Sequence, residues 1–482
     1  MRKPFVFFLV ISCCTFSVQA TPNRDCLDGH PQGVHLDTLA ITPRIRSLGV
    51  GLSKTDASAI GSSVLADLSC AIETRSPKWS LLAAYDVLSG KSTFFRRAAA
   101  SGFDRRHARG HIATRWRGRW TWRPLPSATL TMGKDTLHDG WGRRSLFRGG
   151  HAAPTAFAQV ALNSGGRLRY RHRIEALQGA FQMDCAPGAL GDAQTWLPPT
   201  GRLRTGVTRW AVSHRIELDF GQRLTGALWG AVVWDAAERN FEPHYLVPLT
   251  SLRPTEYAQG SSDNALVGAE GRIQLGAEPK RPRALYGQFL LDELIVSELL
   301  GGTQWWGNKF GWLAGIQWGT KWGGCRFEFS GARPWTYSHF TSSSAYIHGK
   351  TPLAHPLGAN FGELAAEGHW QNQRWEVHLR ATGSVRGDRM DVASPTGSLP
   401  QVGDISRTEE TYTWLNGVQR KRVAIGLDLA RHVEVNKTTS AQAFGQILFG
   451  SETPTNSAIV PTTEWWVSFG IRTTGPFFGS DW

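Results

Sequence analysis

The sequence predicts an all-β chain, a transmembrane outer-membrane antiparallel β-barrel of about eighteen strands with long extracellular loops and short periplasmic turns. Three observations predict it. The chain begins with an export signal, yet past it no run of eighteen apolar residues could make a spanning helix. Segment after segment alternates apolar and charged residues with a period of two. Short turns rich in Gly, Asn and Pro alternate with long connections.

The export signal consists of Arg2 and Lys3, an apolar stretch from Phe5 to Phe16, and Val18-Gln19-Ala20, which places cleavage after Ala20. Val10-Ile11-Ser12-Cys13 also passes as a lipoprotein cleavage box that would leave Cys13 acylated, although the apolar region ahead of it is very short. Residues 1–20 are thus read as signal peptide and 21–40 as a short periplasmic segment. Residues 41–474 are read as the barrel, and 475–482 as a tail ending in the aromatic Trp482.

The chain carries a formal charge of +14, a hydrophobic share of 41% and 21 Trp, a balance unusual for a soluble enzyme. A barrel reconciles low hydrophobicity with a membrane, because each strand needs only about nine to eleven residues, apolar on one face alone. The basic charge also suggests nucleic acid, but an exported envelope protein does not meet it.

Alternation is clearest in Arg167-Leu168-Arg169-Tyr170-Arg171-His172-Arg173-Ile174-Glu175, where one face carries four Arg and Glu175 and the other Leu168, Tyr170, His172 and Ile174. From Arg209 to Phe220, Arg209, Ser213, Arg215, Glu217 and Asp219 oppose Trp210, Val212, Ile216, Leu218 and Phe220. Trp375, Val377, Leu379 and Ala381 oppose Glu376, His378, Arg380 and Thr382, while Arg115, Arg117 and Arg119 oppose Trp116 and Trp120. A solvent-exposed sheet accounts for one or two such strands, not for a chain of them. The period places Arg169, Arg171 and Arg215 toward the lumen and Tyr170, Ile174 and Leu218 toward lipid.

Strands 63–73 and 79–88 join through Arg75-Ser76-Pro77-Lys78, and the long connection 89–110 leads to strands 111–122 and 126–134. After loop 135–154, strands 155–163 and 167–178 join at Asn163-Ser164-Gly165-Gly166, 207–220 and 223–235 at Gly221-Gln222, and 310–321 and 325–336 at Trp322-Gly323-Gly324. Loops 179–206, 236–263, 294–309, 337–360 and 387–420 separate these pairs, with further strands near 264–275, 282–293, 361–370, 375–386, 421–431, 438–450 and 463–474. An even strand number with both termini in the periplasm requires one more, and Ile41 to Leu52 is the available segment. Loops 236–263 and 337–360 have chain enough to fold inward and block the lumen.

Cys26, Cys70, Cys185 and Cys325 lie far apart with no C-x-x-C pair, so no zinc site, redox motif or cofactor is predicted. Export permits one or two disulfides. Cys185 in an outer loop and Cys325 at a periplasmic turn are not expected to pair with each other.

Several motifs carry a family resemblance. Gly133-Lys134-Asp135 with Gly140-Trp141-Gly142-Arg143-Arg144-Ser145-Leu146-Phe147, and Leu285-Tyr286-Gly287-Gln288-Phe289-Leu290-Leu291-Asp292-Glu293, resemble the Wzi-type capsule assembly family. Trp305-Trp306-Gly307-Asn308-Lys309, Arg333-Pro334-Trp335-Thr336-Tyr337-Ser338-His339 and Pro352-Leu353-Ala354-His355-Pro356-Leu357-Gly358-Ala359-Asn360 resemble its Bacteroidetes branch, which includes the RemB-type gliding motility proteins. In motif detail the likeness covers about residues 130–370. Residues 21–40 are too short for the periplasmic helical bundle of the Wzi branch. The resemblance implies an eighteen-stranded barrel, blocked in its lumen, that binds or helps to attach surface polysaccharide in a lectin-like way, or that serves adhesion in gliding.

The candidate glycan-binding residues are Lys134, Asp135, Trp141, Arg144, Gln288, Asp292, Trp305, Trp306, Asn308, Tyr337, His339, His355 and Asn360. Aromatic faces stack on sugar C–H surfaces, and amides, carboxylates and imidazoles supply hydrogen bonds. Trp116, Trp120, Trp210, Trp465 and Trp466 read instead as an interfacial girdle. Arg115, Arg117, Arg119, Arg167, Arg169, Arg171, Arg173, Arg209 and Arg215 form a basic row that either draws an anionic partner into the lumen or pairs with Glu175, Glu217 and Asp219 across strands. No catalytic set is predicted. His138-Asp139 near Asp135 lacks a third partner, and adjacent Asp292 and Glu293 should point to opposite strand faces. The partners implied are an anionic surface polysaccharide, outer-membrane lipid with lipopolysaccharide, and the barrel-assembly machinery, for a monomer. A passive anion-selective porin is the reading from another class.

Overall fold

The computed structural model describes residues 17–18, 38–55, 61–76, 78–89, 105–107, 112–178, 209–235, 241–247, 252–258, 260, 263–276, 281–339, 344–348, 351–388, 411–436, 439–455 and 461–472. Most of the expected signal peptide, residues 21–37, Cys26, Cys185 and the tail with Trp482 lie outside them.

Alternating side chains need a ladder whose two faces meet different media, and the chain builds one continuous antiparallel sheet of 20 strands. Two of these, Ser17–Val18 and Arg105–His107, are short side pairings; eighteen remain. They are β1 (Thr38–Thr55), β2 (Gly61–Arg75), β3 (Trp79–Ser89), β4 (Ile112–Leu125), β5 (Ala128–Asp135) and β6 (Thr155–Asn163). Next come β7 (Leu168–Leu177), β8 (Arg209–Phe220), β9 (Leu224–Asp235), β10 (Asn264–Gln274), β11 (Arg283–Glu293) and β12 (Lys309–Thr320). The last six are β13 (Gly323–Ala332), β14 (Phe361–Gln371), β15 (Trp375–Asp388), β16 (Val418–Asn436), β17 (Thr439–Pro454) and β18 (Thr462–Arg472). Each pairs with its neighbour in sequence, and β18 pairs with β1 from Leu48↔Ile471 to Thr55↔Glu464. The sheet is a closed barrel with no free edge, the form in which strands can cross lipid. Among the described residues no helix is long and apolar enough to cross a membrane.

Turns such as 126–127, 221–223, 321–322 and 372–374 gather at one end, and the longer connections at the other. The starts of β1 and ends of β18 lie at the short-turn end. Every strand expected from the alternation forms, including the one at Ile41 to Leu52.

Outward positions all around the wall carry exposed apolar side chains, among them Ile72, Trp116, Met132, Leu228, Phe289, Phe327, Leu364, Val423, Ile447 and Phe469. A belt of that extent is unstable in water and is the surface a barrel presents to lipid. Trp116, Trp120 and Trp465 face outward. Trp466 does not: adjacent strand residues alternate, so it points inward and is buried.

Two expectations about loops divide. The segment after β13 folds inward, as described below. The segment between β9 and β10 does not. Its 3-10 turn Pro243–Leu246 and α1 (Leu252–Ala258) lie against the outer face, where Tyr245 and Leu252 pack with Val212, Val232, Trp234, Ala265, Ile174 and Trp210. The outward residues of β8 and β9 offer there an apolar surface that Tyr245 and Leu252 cover. Ile174, expected against lipid, is thus partly covered by this segment.

The register is checked by thiol labelling in a background without native cysteines. Cysteine at Gln317 or Glu367 should react with a membrane-impermeant maleimide, and cysteine at Phe327 or Leu364 only with a lipid-soluble one. The reverse pattern would shift every strand by one residue.

Candidate functional site in the barrel lumen

After β5 the chain turns into the lumen instead of over its rim. Asp139 and Arg148 form an isolated bridge, with Asp139 N–H donating to Arg148 C=O at 2.9 Å, which closes residues 139–148 into a small inward loop. Gly140 sits at φ +96°, in the left-handed region where a Cβ would also strike Gln288.

Acidic and amide side chains of the wall receive this loop. Trp141 N–H donates to Glu270 Oε2 at 3.0 Å, Arg143 N–H to Glu328 Oε1 at 2.6 Å, and Leu146 N–H to Gln288 Oε1 at 3.0 Å. The Arg144 guanidinium lies 2.7 Å from Glu363, and Arg148 lies 3.2 Å from Glu175, which also accepts from Thr155 Oγ1 at 2.9 Å. In the other direction, Asp139 takes Arg171 and Arg173 of β7 and, at 3.3 Å, the indole N–H of Trp229. Burial opposes ionisation of Asp139, but the two arginines outweigh it and hold its carboxyl well below the usual range.

The segment after β13 folds onto this loop. Gly149 N–H donates to Leu353 C=O at 2.7 Å, and Tyr337 Oη donates to Leu146 C=O at 2.9 Å. Leu146, Phe147, Trp229, Tyr337, Tyr346, Leu353 and Phe361 make an apolar core inside the barrel, with Phe147 stacked on Trp229 at 5.1 Å and seated against bare Gly268. Truncating Phe147 in such a core costs about 3–5 kcal/mol. The two segments together form a plug.

The predicted glycan residues are divided between the plug, which holds Trp141, Arg144, Tyr337, His339, His355 and Asn360, and the wall and its connections. Arg144, Gln288, Asp292, Asn308, Tyr337, His355 and Asn360 are buried, and each meets protein groups. Asn308 Oδ1 accepts from Ile295 N–H at 2.8 Å, His355 lies 3.2 Å from Glu363 and stacks on Phe361, and Asn360 donates to Gly387 C=O and Asn416 C=O. Asp135 is buried beneath Arg117 and Arg119. Lys134 is on the outer wall, 4.4 Å over Trp116, because its strand position is opposite in parity to Asp135. Trp141, Trp305, Trp306 and His339 are half-buried, with Trp305 and Trp306 at 5.6 Å. The structure therefore does not gather the thirteen into one exposed patch.

Asp292 and Glu293 depart from their expected opposition. A β-bulge between Leu291 and Glu293 breaks the alternation, and Lys309 Nζ lies 3.5 Å from Asp292 and 3.1 Å from Glu293.

Of the basic row, all but Arg167 face inward, and Arg167 is exposed at a turn. Their charges are largely spent on carboxylates. Arg115 and Arg117 share Asp86, Arg169 holds Glu217 and Asp219, and Arg215 meets Glu217 and Glu270. Arg209 donates to the C=O groups of Ala345 and Ile347. Cys325, on β13 near the short-turn end, is a free thiol.

Sequence reasoning missed Glu270, Glu328 and Glu363 as the plug's receptors. Their signal was faint: carboxylates at inward positions of strands rich in Gly and Ala. It also missed the space beside the plug. A cavity of about 590 Å³ at the short-turn end is lined by Arg143, Gln317, Arg326, Glu367, His369, His378 and Arg380 among others. A second, of about 270 Å³, shares Arg143, Gln317 and Arg326 with it and adds His138, Trp141, Arg272 and Tyr286.

No family model and no curated protein matches the sequence. Similar solved structures include OpdQ of Pseudomonas aeruginosa, at 7% identity and TM-score 0.45 over 91% of this chain and 98% of that one. OccAB2 of Acinetobacter baumannii has 7% identity and TM-score 0.49 over 91% and 99%, and the outer membrane protein OprD of P. aeruginosa 8% and 0.42 over 89% and 93%. Likeness of this degree carries no argument about function. The strand pairing itself defines the class, a closed transmembrane barrel with a plug made from its own loops.

Asp139→Ala leaves Arg171 and Arg173 facing an empty centre and should loosen the plug by about 3–5 kcal/mol. The barrel should still show heat-modifiable gel migration while limited proteolysis within 136–154 accelerates. Unchanged proteolysis would remove Asp139 as the anchor.

His348 gives the plug a pH dependence. Burial first, and Arg148 second, push its pKa down to about 3, and neutral Nδ1 accepts from Gln178 N–H at 3.1 Å. Since the unfolded imidazole titrates near 6.5, its contribution is full above that pH and is lost as pH falls toward about 3. Proteolysis within 344–360 should therefore rise over this window, and His348→Phe should flatten the rise.

Proposed function

We propose that the protein is a non-catalytic outer-membrane barrel acting as a passive, anion-selective channel of low conductance, its lumen narrowed by the plug. One observation carries this reading: the space left beside the plug is basic. Arg143, Arg272, Arg326 and Arg380 line the two cavities, and Glu367 is the only carboxylate lining either among the described residues. Cations fixed in a narrow passage concentrate anions and repel cations. The non-catalytic part is supported by the buried carboxylates of Asp139, Glu175, Asp292 and Glu363, each of which is engaged by an arginine or lysine of the wall or the plug.

A second reading is favoured by the plug itself. A sieve needs no sealed apolar core, whereas Phe147, Tyr337, Tyr346 and Leu353 close one side of the lumen with one. A barrel that attaches surface polysaccharide, as the Wzi-type motifs imply, or that serves adhesion, would keep the membrane tight in this way.

Reconstitution in planar bilayers separates the two. The channel reading expects small, steady, anion-selective steps at neutral pH that grow in Asp139→Ala. A silent wild-type barrel, together with loss of surface polysaccharide from cells lacking the protein, would overturn it in favour of the second.

A further inference from the structure

We propose that the lumen holds a binding site for an acidic sugar unit, formed by Arg272 and Arg326 with the plug residues Arg143 and Trp141. This rests on the reading of an anion-handling lumen and names its ligand class.

Charge bookkeeping around the wall locates the site. Toward the long-loop end Arg144 is neutralised by Glu363, Arg148 and Arg173 by Glu175, and Arg215 by Glu270. Beside the plug the balance fails. Arg143 and Arg380 share the single Glu367, at 3.4 and 3.0 Å. Arg272 and Arg326 have no carboxylate partner among the described residues. The nearby acids are committed elsewhere. Glu270 receives Arg215, Gln288 and Trp141 N–H, and Glu328 receives the N–H groups of Arg143 and Arg144 and the Tyr286 hydroxyl at 2.6 Å.

Register brings the unpaired cations to one place. Arg272 stands directly opposite Tyr286, and Arg326 opposite Gln317 on one side and Glu367 on the other. Arg326 lies 5.9 Å from the Tyr286 ring centroid, and Arg272 lines the same cavity as that ring. The Tyr286 ring is held by its bond to Glu328 and lies against Gly315, where any side chain would collide with it. Trp141 adds an aromatic wall, and Gln317 and His138 add neutral hydrogen-bonding groups.

Unpaired guanidinium groups select a carboxylate or phosphate, and the aromatic and amide lining selects a ring with one C–H face and several hydroxyls. The site's own cavity, about 270 Å³, lies just below the usual range for small-ligand sites, about 300–1,000 Å³, and adjoins through Arg143, Gln317 and Arg326 the cavity of about 590 Å³ at the short-turn end. An acidic sugar fits both demands, whereas free phosphate meets only the first.

Titration calorimetry on the detergent-folded full chain tests the site without requiring conduction. Galacturonate should bind saturably, weaken as salt is raised, and exceed both galactose and inorganic phosphate by tenfold or more. Arg272→Gln and Arg326→Gln should each weaken galacturonate at least tenfold with heat-modifiable migration intact, while Arg283→Gln on the outer wall changes nothing. No galacturonate binding, or wild-type affinity in both folded variants, overturns the site; phosphate binding as tightly as galacturonate overturns the sugar assignment. Galacturonate binding to a barrel that proves silent in bilayers would overturn the channel reading and leave the site standing.

Discussion

Everything in this protein depends on closing the hydrogen-bond ladder. Lipid offers no donor or acceptor, so each wall N–H and C=O must find a partner within the sheet, and only a ring of strands leaves none over. The pairing of β18 with β1 completes that ring. Once it closes, the two faces of every strand are assigned to different media, and a period of two in the sequence becomes an inside and an outside.

Closure creates a second problem, a lumen lined with charge. The wall answers it in two ways. Neighbouring strands neutralise each other, as with Asp86 beneath Arg115 and Arg117 or Arg169 between Glu217 and Asp219. Where the wall carries acids in excess of its own arginines, it takes up the plug, whose backbone N–H groups and arginines complete Glu270, Glu328, Glu363 and Glu175. Asp139 reverses the pattern by carrying the plug's negative charge to Arg171 and Arg173. These contacts are charge-assisted and buried, so the plug is held by bonds that are costly to break singly. Its apolar core adds burial that is indifferent to salt.

The strand layout was legible because it is local: a run such as Arg169 to Glu175 announces its two faces by itself. Errors arose where a local rule met a non-local fact. Asp292 and Glu293 should oppose each other on a regular strand, but a bulge brings both to Lys309. Trp465 and Trp466 look alike as girdle residues, yet alternation sends only one outward. Loop motifs suited to sugar, such as Asn308 and Asn360, have hydrogen-bonding capacity that the fold spends on Ile295 and on Gly387 and Asn416. A polar side chain in a loop has the same composition whether it waits for a ligand or satisfies a backbone group.

By itself the sequence determined the all-β class, the number and order of the strands, and, Arg167 excepted, the inward direction of the basic row, since these follow from periodicity and turn residues within a dozen positions. The tertiary structure alone decided which loop enters the lumen, which covers the outer wall, and which cations are left over. The residues after β5 and those between β9 and β10 differ little in kind; the former enter because Glu270, Glu328 and Glu363 converge on them from three strands, and the latter lie outside because Val212, Val232 and Trp234 offer an apolar surface there. Convergence from distant strands has no signature along the chain. The same holds for Arg272 and Arg326, which resemble every other arginine in the sequence and stand apart only once each nearby carboxylate has been assigned its partner.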